Sequence, residues 1–465
     1  SAGIGAAGIA NHFGLKTLMI EKKDRNIGGD CLNFGCVPSK ALIHVSRQFH
    51  AAKEAQQFGL ESSGKADFQK VMDYVHQGQE VIREHEDAAF FRNLGMDVEL
   101  GTASFVDEKT IEVNGKLFTA PKIILATGSK PRALTTKGIE KVEKCFNNEG
   151  LFWEMETLPD RLLVVGGGPI GCEMAQAFSR LGSKVCMVNR GERIVEKELP
   201  EFSEILTQRF EKEGIEVYNQ ANLLEFVDAQ TALIEVENGE RIELHFDAVL
   251  EAIGRTVRTE GMGFEKAGIE VKKGKIMVDD YFRTTNKRVF AIGDAAGREQ
   301  FSHGAEKHNR DLAFNFVSPL KKKHDLKHFS WVTFTDPEVA TFGYSTQKLK
   351  EKGIAFEAVE QSFEDDDRAI TADYRYAKMV LYFSKPHILT RKVRILGGSM
   401  IAPHAGELIQ ELILAAQEGI DIGAIFNKIY PYPTMSRINQ KAIVTKRKGG
   451  MSPLFLKLVK FLYTH

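Results

Sequence analysis

The chain has 465 residues, enough for two to four domains with substantial cores. A formal net charge of −1 gives no general attraction to nucleic acid, 43% hydrophobic content is ordinary for a soluble globular protein, and no apolar run is long enough to span a bilayer. Five cysteines (Cys31, Cys36, Cys145, Cys172, Cys186) are too sparse for a secreted disulfide scaffold; one reactive pair in a reducing, cytoplasmic compartment fits better.

The chain opens on a small-residue helical stretch, then Gly14 and a strand ending at Glu21. The same order recurs later. Arg161-Leu-Leu-Val-Val is a buried strand running into Gly166-x-Gly168-x-x-Gly171, followed by a helix Cys172–Leu181, Gly182 and a strand Lys184–Val188. This unit seats a dinucleotide pyrophosphate on a helix N-terminus, and the flanking elements strengthen what a glycine pattern alone would leave weak. A constant offset of 168 residues relates Gly3 to Gly171, Gly14 to Gly182 and Glu21 to Asn189. Gly3 therefore takes the place of the third glycine, and the first strand and first two glycines are expected before residue 1. Gly3-Ile4-Gly5-Ala6-Ala7-Gly8 also fits the pattern, but no strand precedes it and Glu21 would fall five residues too close. Gly5 and Gly8 are read instead as helix residues packed on the sheet. Glu21 at its strand end suits ribose hydroxyls.

Next comes Gly28-Gly29-Asp30-Cys31-Leu32-Asn33-Phe34-Gly35-Cys36-Val37-Pro38-Ser39-Lys40. On one continuous helix, residues five apart sit about 140° apart around the axis and could not bridge. Gly28, Gly29 and Gly35 permit irregular backbone at Cys31, and Pro38 suits the first turn of a helix starting near Cys36. That places the Cys36 thiol at a positive helix end, where a thiolate is stabilised. The alternative is two unpaired core cysteines.

This segment closely resembles the redox-active stretch of the class I pyridine nucleotide-disulfide oxidoreductases, the family of glutathione reductase, dihydrolipoamide dehydrogenase and mercuric reductase. The resemblance implies a flavoenzyme whose Cys31–Cys36 disulfide is reduced by FAD. It sets Cys36 against the flavin and makes Cys31 the exchange thiol. Gly3 and Glu21 then belong to the FAD cradle, and Lys40 and Glu173 match positions that pair near the flavin.

Residues 37–95 have helical spacing, and Ile111–Phe118 reads as a hairpin turning at Asn114-Gly115. Ile123-Ile-Leu-Ala-Thr127-Gly128 resembles the family's Ala-Thr-Gly element beside FAD, and Asp247–Arg255 its strand and turn near the nicotinamide, with Gly254 at the turn. Val289-Phe-Ala-Ile-Gly293-Asp294 is a buried strand whose Asp294 binds the ribityl chain by resemblance. Ser302-His303-Gly304-Ala305 opens a helix that in relatives aims its N-terminus at the flavin. His303 fits either that role or plain capping. His404 and Glu407 resemble a catalytic pair but are read as structural, on a helix Ala405–Glu418.

Two departures bear on chemistry. Thiol-exchanging relatives carry a His-Pro-Thr segment followed by a Glu, whereas this chain has Tyr432-Pro433-Thr434 and then Arg437. A phenol is a poor base at neutral pH, so efficient reduction of glutathione or lipoamide disulfide is not expected. Mercuric reductases have a tyrosine there but also a C-terminal cysteine pair, and this sequence has no cysteine after Cys186. In the second unit Asn189 stands where NAD-binding folds place an acid, with Arg190 and Arg193 next, which favours NADPH without excluding NADH.

The expected fold is α/β: two Rossmann-like nucleotide-binding domains, for FAD and NAD(P), and a C-terminal α+β dimerisation domain. The boundaries are FAD domain 1–155 and its return segment 277–327, NAD(P) domain 156–276, dimerisation domain 328–450 and amphipathic tail 451–465. The expected function is electron transfer from NADPH through FAD and the Cys31–Cys36 pair to a disulfide, soft metal ion or other small acceptor, in a homodimer. The rival readings are a flavin-level quinone or oxygen reductase, and a degenerate flavoprotein interaction module attached peripherally to a membrane through residues 453–465.

Overall fold

The computed structural model describes residues 1–387, 389–449 and 453–464. The chain divides into two compact units: residues 1–194 with 210–325, and residues 195–209 with 326–465.

In the first unit, a five-stranded sheet has the order 216–218, 184–188, 161–165, 248–251, 145–146, and each of its pairs is parallel. The central strand Arg161–Val165 is buried at all but its first residue, as a parallel strand covered on both faces must be. The helix after it starts at Pro169, three residues earlier than the sequence suggests, because proline's fixed φ and missing N–H suit a first turn. The repeat at the chain start is built from two separate parallel pairs: Leu18–Glu21 with Asp97–Leu100, and Ile123–Leu125 with Val289–Ala291. Among the described residues no strand joins these pairs, and a counterpart of Arg161–Val165 is not found. The expected hairpin is present as Thr110–Val113 and Lys116–Thr119, with Asn114 and Gly115 both at positive φ.

The helix Ala2–His12 corrects one expectation. A Cβ at Gly5 would fall 2.1 Å from Asn309 Nδ2, so Gly5 packs on the helix Ser302–Val317 rather than on the sheet, and Gly8 has nothing within 4 Å.

The second unit is a five-stranded antiparallel sheet in the order 330–333, 338–343, 395–402, 378–384, 356–362. Phe342, Phe363, Phe383, Leu381 and Met400 form its core with residues of the helices Gln410–Gln417, Ile422–Asn427 and Arg437–Gly449. The segment Val195–Arg209 belongs here: Glu198 accepts from Trp331 Nε1 at 2.5 Å and from Thr341 Oγ1 at 2.6 Å. The single helix expected over Ala405–Glu418 is two, Ala405–Leu408 and Gln410–Gln417, and His404 caps the first in a left-handed conformation. The tail forms a helix Pro453–Thr464, with residues 451, 452 and 465 outside the described set. No helix among the described residues is long and apolar enough to cross a membrane.

Candidate active site

Cys36 is the first residue of the helix Cys36–Glu54, as its proline and glycines suggest. Cys31 departs from expectation. It lies on a short helix Gly29–Asn33 rather than on irregular backbone, and the break falls instead at Phe34-Gly35. That break lets the two thiols meet despite two helical flanks. It is held from below by Asn33, whose amide donates to Ile27 O and Gly29 O and whose carbonyl accepts from Gln79 Nε2 (3.0 Å) and Trp153 Nε1 (3.0 Å).

Both cysteines are thiols, Cys36 exposed and Cys31 half-buried. They titrate as a pair. Cys31 is lowered to about 6, chiefly because the Cys36 S–H donates to its thiolate, with burial opposing and Ser302 assisting. Contrary to the thiolate expected at this helix end, Cys36 is pushed up by that same hydrogen bond, by partial desolvation and by the Cys31 charge. Cys36 Sγ lies 3.2 Å from Ser302 Oγ, so the pair meets the N-terminus of the helix Ser302–Val317. His303 is exposed and Ala305 buried on the same first turn.

One turn after Cys36, Lys40 Nζ donates to Glu173 Oε2 at 2.7 Å, and the Glu173 side chain is only 6% exposed. The two helices that carry this pair are thereby tied together beside the dithiol.

A second cluster surrounds Asp294. Its carboxylate accepts from Ser129 Oγ at 2.5 Å, and burial raises its pKa against the pull of Ser129 and Arg255. Arg255 is the hub: it donates to Ser129 Oγ (2.7 Å), Asn148 Oδ1 (2.9 Å) and Asp30 Oδ1 (2.9 Å), the residue before Cys31. Beside Ser129, Thr127 Oγ1 is buried without a hydrogen-bond partner, and Gly128 at positive φ faces open space. A Cβ at Gly3 would lie 3.3 Å from Ala126 Cβ. Glu21 accepts from Lys22 N at 2.6 Å, and burial raises its pKa.

In the second dinucleotide unit the three glycines differ in purpose. A Cβ at Gly171 would lie 2.0 Å from Gly166 O, and one at Gly166 2.5 Å from Ala252 O, so both allow close packing. Gly168 has nothing within 4 Å, which leaves its backbone accessible to a pyrophosphate. Asn189 is tied into its own loop, donating to Asn219 Oδ1 at 2.8 Å and Gly191 O at 3.2 Å, while Arg190 is exposed. Gly254 stands at φ +100 with open space around it.

In the C-terminal unit, Tyr432 borders an open depression of about 690 Å³ lined also by Asp367, Tyr430 and Arg437. Its hydroxyl donates to Asp367 Oδ2 at 2.8 Å, which raises its pKa, and Arg437 lies over its ring at 5.1 Å.

With this geometry in view, the comparisons with known proteins are decisive. The sequence profile of the pyridine nucleotide-disulphide oxidoreductases matches residues 1–309, and that of their dimerisation domain matches residues 329–443. The chain belongs to this family. It is 31% identical to a mercuric reductase of Staphylococcus aureus over 448 residues, covering 96% of this chain and 80% of the relative. A dihydrolipoyl dehydrogenase of Chlamydia pneumoniae is also 31% identical, over 444 residues, covering 94% and 93%. In fold it is similar to the HOCl-induced flavoprotein disulfide reductase RclA of Escherichia coli (TM-score 0.82, 23% identity, 95% of this chain and 97% of that one). LpdA of Mycobacterium tuberculosis is similar to the same degree (TM-score 0.82, 22% identity, 97% and 98%).

Pyridine nucleotide-disulfide oxidoreductases bind FAD and use NAD(P)H, and the dimerisation domain supports a homodimer. The residues fit FAD: the orphaned Thr127 hydroxyl and open Gly128 offer a polar contact and room beside Asp294, next to the dithiol. They fit NAD(P) through the open Gly168 and Gly254. The roles of Arg255, Ser129, Ser302 and Asn33 escaped the sequence reading. Arg255 follows Gly254 directly and was the one within reach; the others carry no periodic or motif signal for the contacts they make.

Proposed function

We propose that the protein carries electrons from NADPH to a small acceptor through FAD and the Cys31–Cys36 pair, and that the acceptor is a soft metal ion or a quinone rather than a glutathione or lipoamide disulfide. The observation that carries this reading is a cysteine pair at a helix start, with Cys36 Sγ 3.2 Å from Ser302 Oγ, one turn from the Lys40–Glu173 pair.

FAD, when bound, supplies the two-electron link between NADPH and the S–S bond. Two electrons and one proton convert that bond to one thiol and one thiolate. This is the state the site favours, since the remaining proton is shared between the sulfurs and Ser302 adds a hydroxyl. Lys40 brings positive charge one turn into the same helix, and Glu173 fixes its position. Thr127, Asp294 and the start of the helix Ser302–Val317 would hold the flavin, and Gly168, with Arg190 nearby, the NADPH phosphates.

Release of a thiol substrate needs a base that takes and returns a proton. Tyr432, its pKa raised by Asp367, serves that need less well than a free phenol would. A soft cation bound by two thiolates needs no such base. The mercuric reductase relative supports this choice.

The test is an anaerobic titration of the flavin-loaded protein with NADPH, counting alkylated thiols by mass, followed by an acceptor panel. One equivalent should expose Cys31 and Cys36 together, and Hg(II) or a quinone should outpace both disulfides. Flavin reduction with no new thiols would favour the flavin-level rival and sink the proposal.

A further inference from the structure

Beneath the Gly293-Asp294 turn lies a buried chain of ionisable groups that the proposed reaction does not use. His308, fully buried, accepts the Gly293 N–H at Nδ1 (3.0 Å). Its Nε2 donates to Glu299 Oε2 (3.0 Å), which also accepts from His324 Nε2 (3.1 Å). His324 Nδ1 donates to Asp311 Oδ2 (2.9 Å), and Lys307 Nζ donates to the same oxygen (2.9 Å). Glu299, His308 and His324 stand close enough to invite a metal reading, their ligand atoms lying within 4.8 Å of one another. The tautomer argues against it. With Nδ1 accepting a backbone N–H, the proton of His308 sits on Nε2, the nitrogen that would face an ion. His324, donating to two carboxylates, is an imidazolium.

We propose that His308 is a positioning residue for the flavin-binding turn, and that the chain His308–Glu299–His324–Asp311–Lys307 makes FAD retention depend on pH. The proposal rests on the reading that Gly293-Asp294 contacts FAD. Neutral His308 holds the Gly293 N–H and so fixes Asp294; protonated at Nδ1, it can only donate, and the hold is lost. The charged and titratable groups around His308 are Glu299 and Arg298 from the preceding loop, His324 from the following segment, Lys307 and Asp311 on its own helix, and Asp294 on the turn. Arg298 is drawn off by Asp280 at 3.7 Å, and the Phe282 ring lies 4.5 Å from the imidazole, leaving Glu299 as its hydrogen-bonded counter-charge.

The signs follow. Burial lowers the His308 pKa, with Glu299 opposing, so its hold is complete above the ordinary value of about 6.5 and fails as pH falls below it. Burial would lower His324 too, but its bonds to Asp311 and Glu299 prevail and raise it, so its contribution fails as pH rises. Those two histidine bonds also overcome burial to hold Glu299 well below the usual range, ionised throughout. Retention should therefore be best near pH 6.5 and fall on both sides.

The experiment measures FAD dissociation from the holoprotein by recovery of free-flavin fluorescence between pH 4.5 and 9, in wild type, His308→Ala, His308→Gln and Asp294→Ala. His308→Ala should weaken FAD binding roughly ten-fold at pH 6.5. His308→Gln, whose amide oxygen can accept the Gly293 N–H, should recover most of that and lose the acidic limb. If His308→Ala binds within two-fold of wild type with the same pH profile, the proposal is overturned; equal loss in both His308 variants with equally lowered melting temperatures would reduce His308 to packing and overturn it as well. Asp294→Ala separates the two layers. If it leaves FAD affinity unchanged, the reading of the turn fails; if it weakens FAD while His308→Ala does not, only the histidine chain fails.

Discussion

Lys40→Met is the most informative single change, because it breaks a half-buried ion pair while keeping the helix and most of the side-chain volume. Glu173 is 6% exposed and would lose the ammonium it pairs with at 2.7 Å. Breaking a fully buried pair costs about 3–5 kcal/mol. Lys40 is 36% exposed, so water already shares its charge, and about 2 kcal/mol is the better figure. At roughly 1–2 °C per kcal/mol for a unit of this size, the holoprotein should melt about 2–4 °C lower. Adding Glu173→Met should return the melting temperature to near wild type, since two packed apolar side chains replace a desolvated pair. Electron entry should respond differently. Flavin reduction by NADPH, followed by stopped-flow absorbance, should stay at least ten-fold slow in both the single and the double variant, because neither restores the cation. A single variant no less stable than the double would refute the pairing argument. A double variant that reduces at the wild-type rate would show the pair to be structural only.

Cys36→Ala should leave flavin reduction by NADPH intact but remove the S–H that donates to Cys31, so that Cys31 alkylates with a midpoint above that of the wild type. In the NADPH-reduced wild type, alkylation by iodoacetamide should be half-maximal near pH 6, the value to which Cys31 is lowered, and a midpoint near an ordinary thiol's 8.5 would count against the shared proton. Arg190→Glu should move preference from NADPH toward NADH by ten-fold or more in kcat/KM, since a carboxylate repels a 2′-phosphate; a wild type that already prefers NADH would remove the basis for this assignment. Tyr432→His should raise glutathione disulfide turnover only a few-fold, because Arg437 lies over that ring and Asp367 meets the outer phenol oxygen, farther from the backbone than an imidazole extends. Vigorous disulfide turnover by the wild type would mean that another group serves as base.

Where chemistry depends on neighbours in the chain, the sequence was enough. The run Arg161–Gly171 carries its strand, its packing glycines and its open Gly168 in one short span. Asn114-Gly115 likewise states its own turn, and Pro38 the helix that begins at Cys36. The offset of 168 residues exposed the duplicated unit because both copies obey the same local rules.

Local rules erred where a helix could either continue or break. Cys31 sits on a helical turn despite the glycines before it, and the helix expected over Ala405–Glu418 is interrupted at Ile409. The first break is held by the bonds of Asn33 to Gln79 and Trp153, both distant in sequence. The same holds for side chains that could serve more than one purpose. Asn189 stands where NAD-binding folds place an acid, and its amide is engaged by Asn219, thirty residues on. Arg255, one position past a recognised glycine, became the hub joining Asp30, Ser129 and Asn148. Nothing in the spacing of His308, His324 and Glu299 announced a buried chain under Gly293. The sequence alone determined the dinucleotide units, the paired-cysteine segment and the tyrosine at 432, because these are written in backbone conformation and residue type over short spans. Only the tertiary structure decided which polar groups meet, because a hydrogen bond between residues far apart in the chain has no period and no motif, and exists only once the core has brought its partners within about 3 Å.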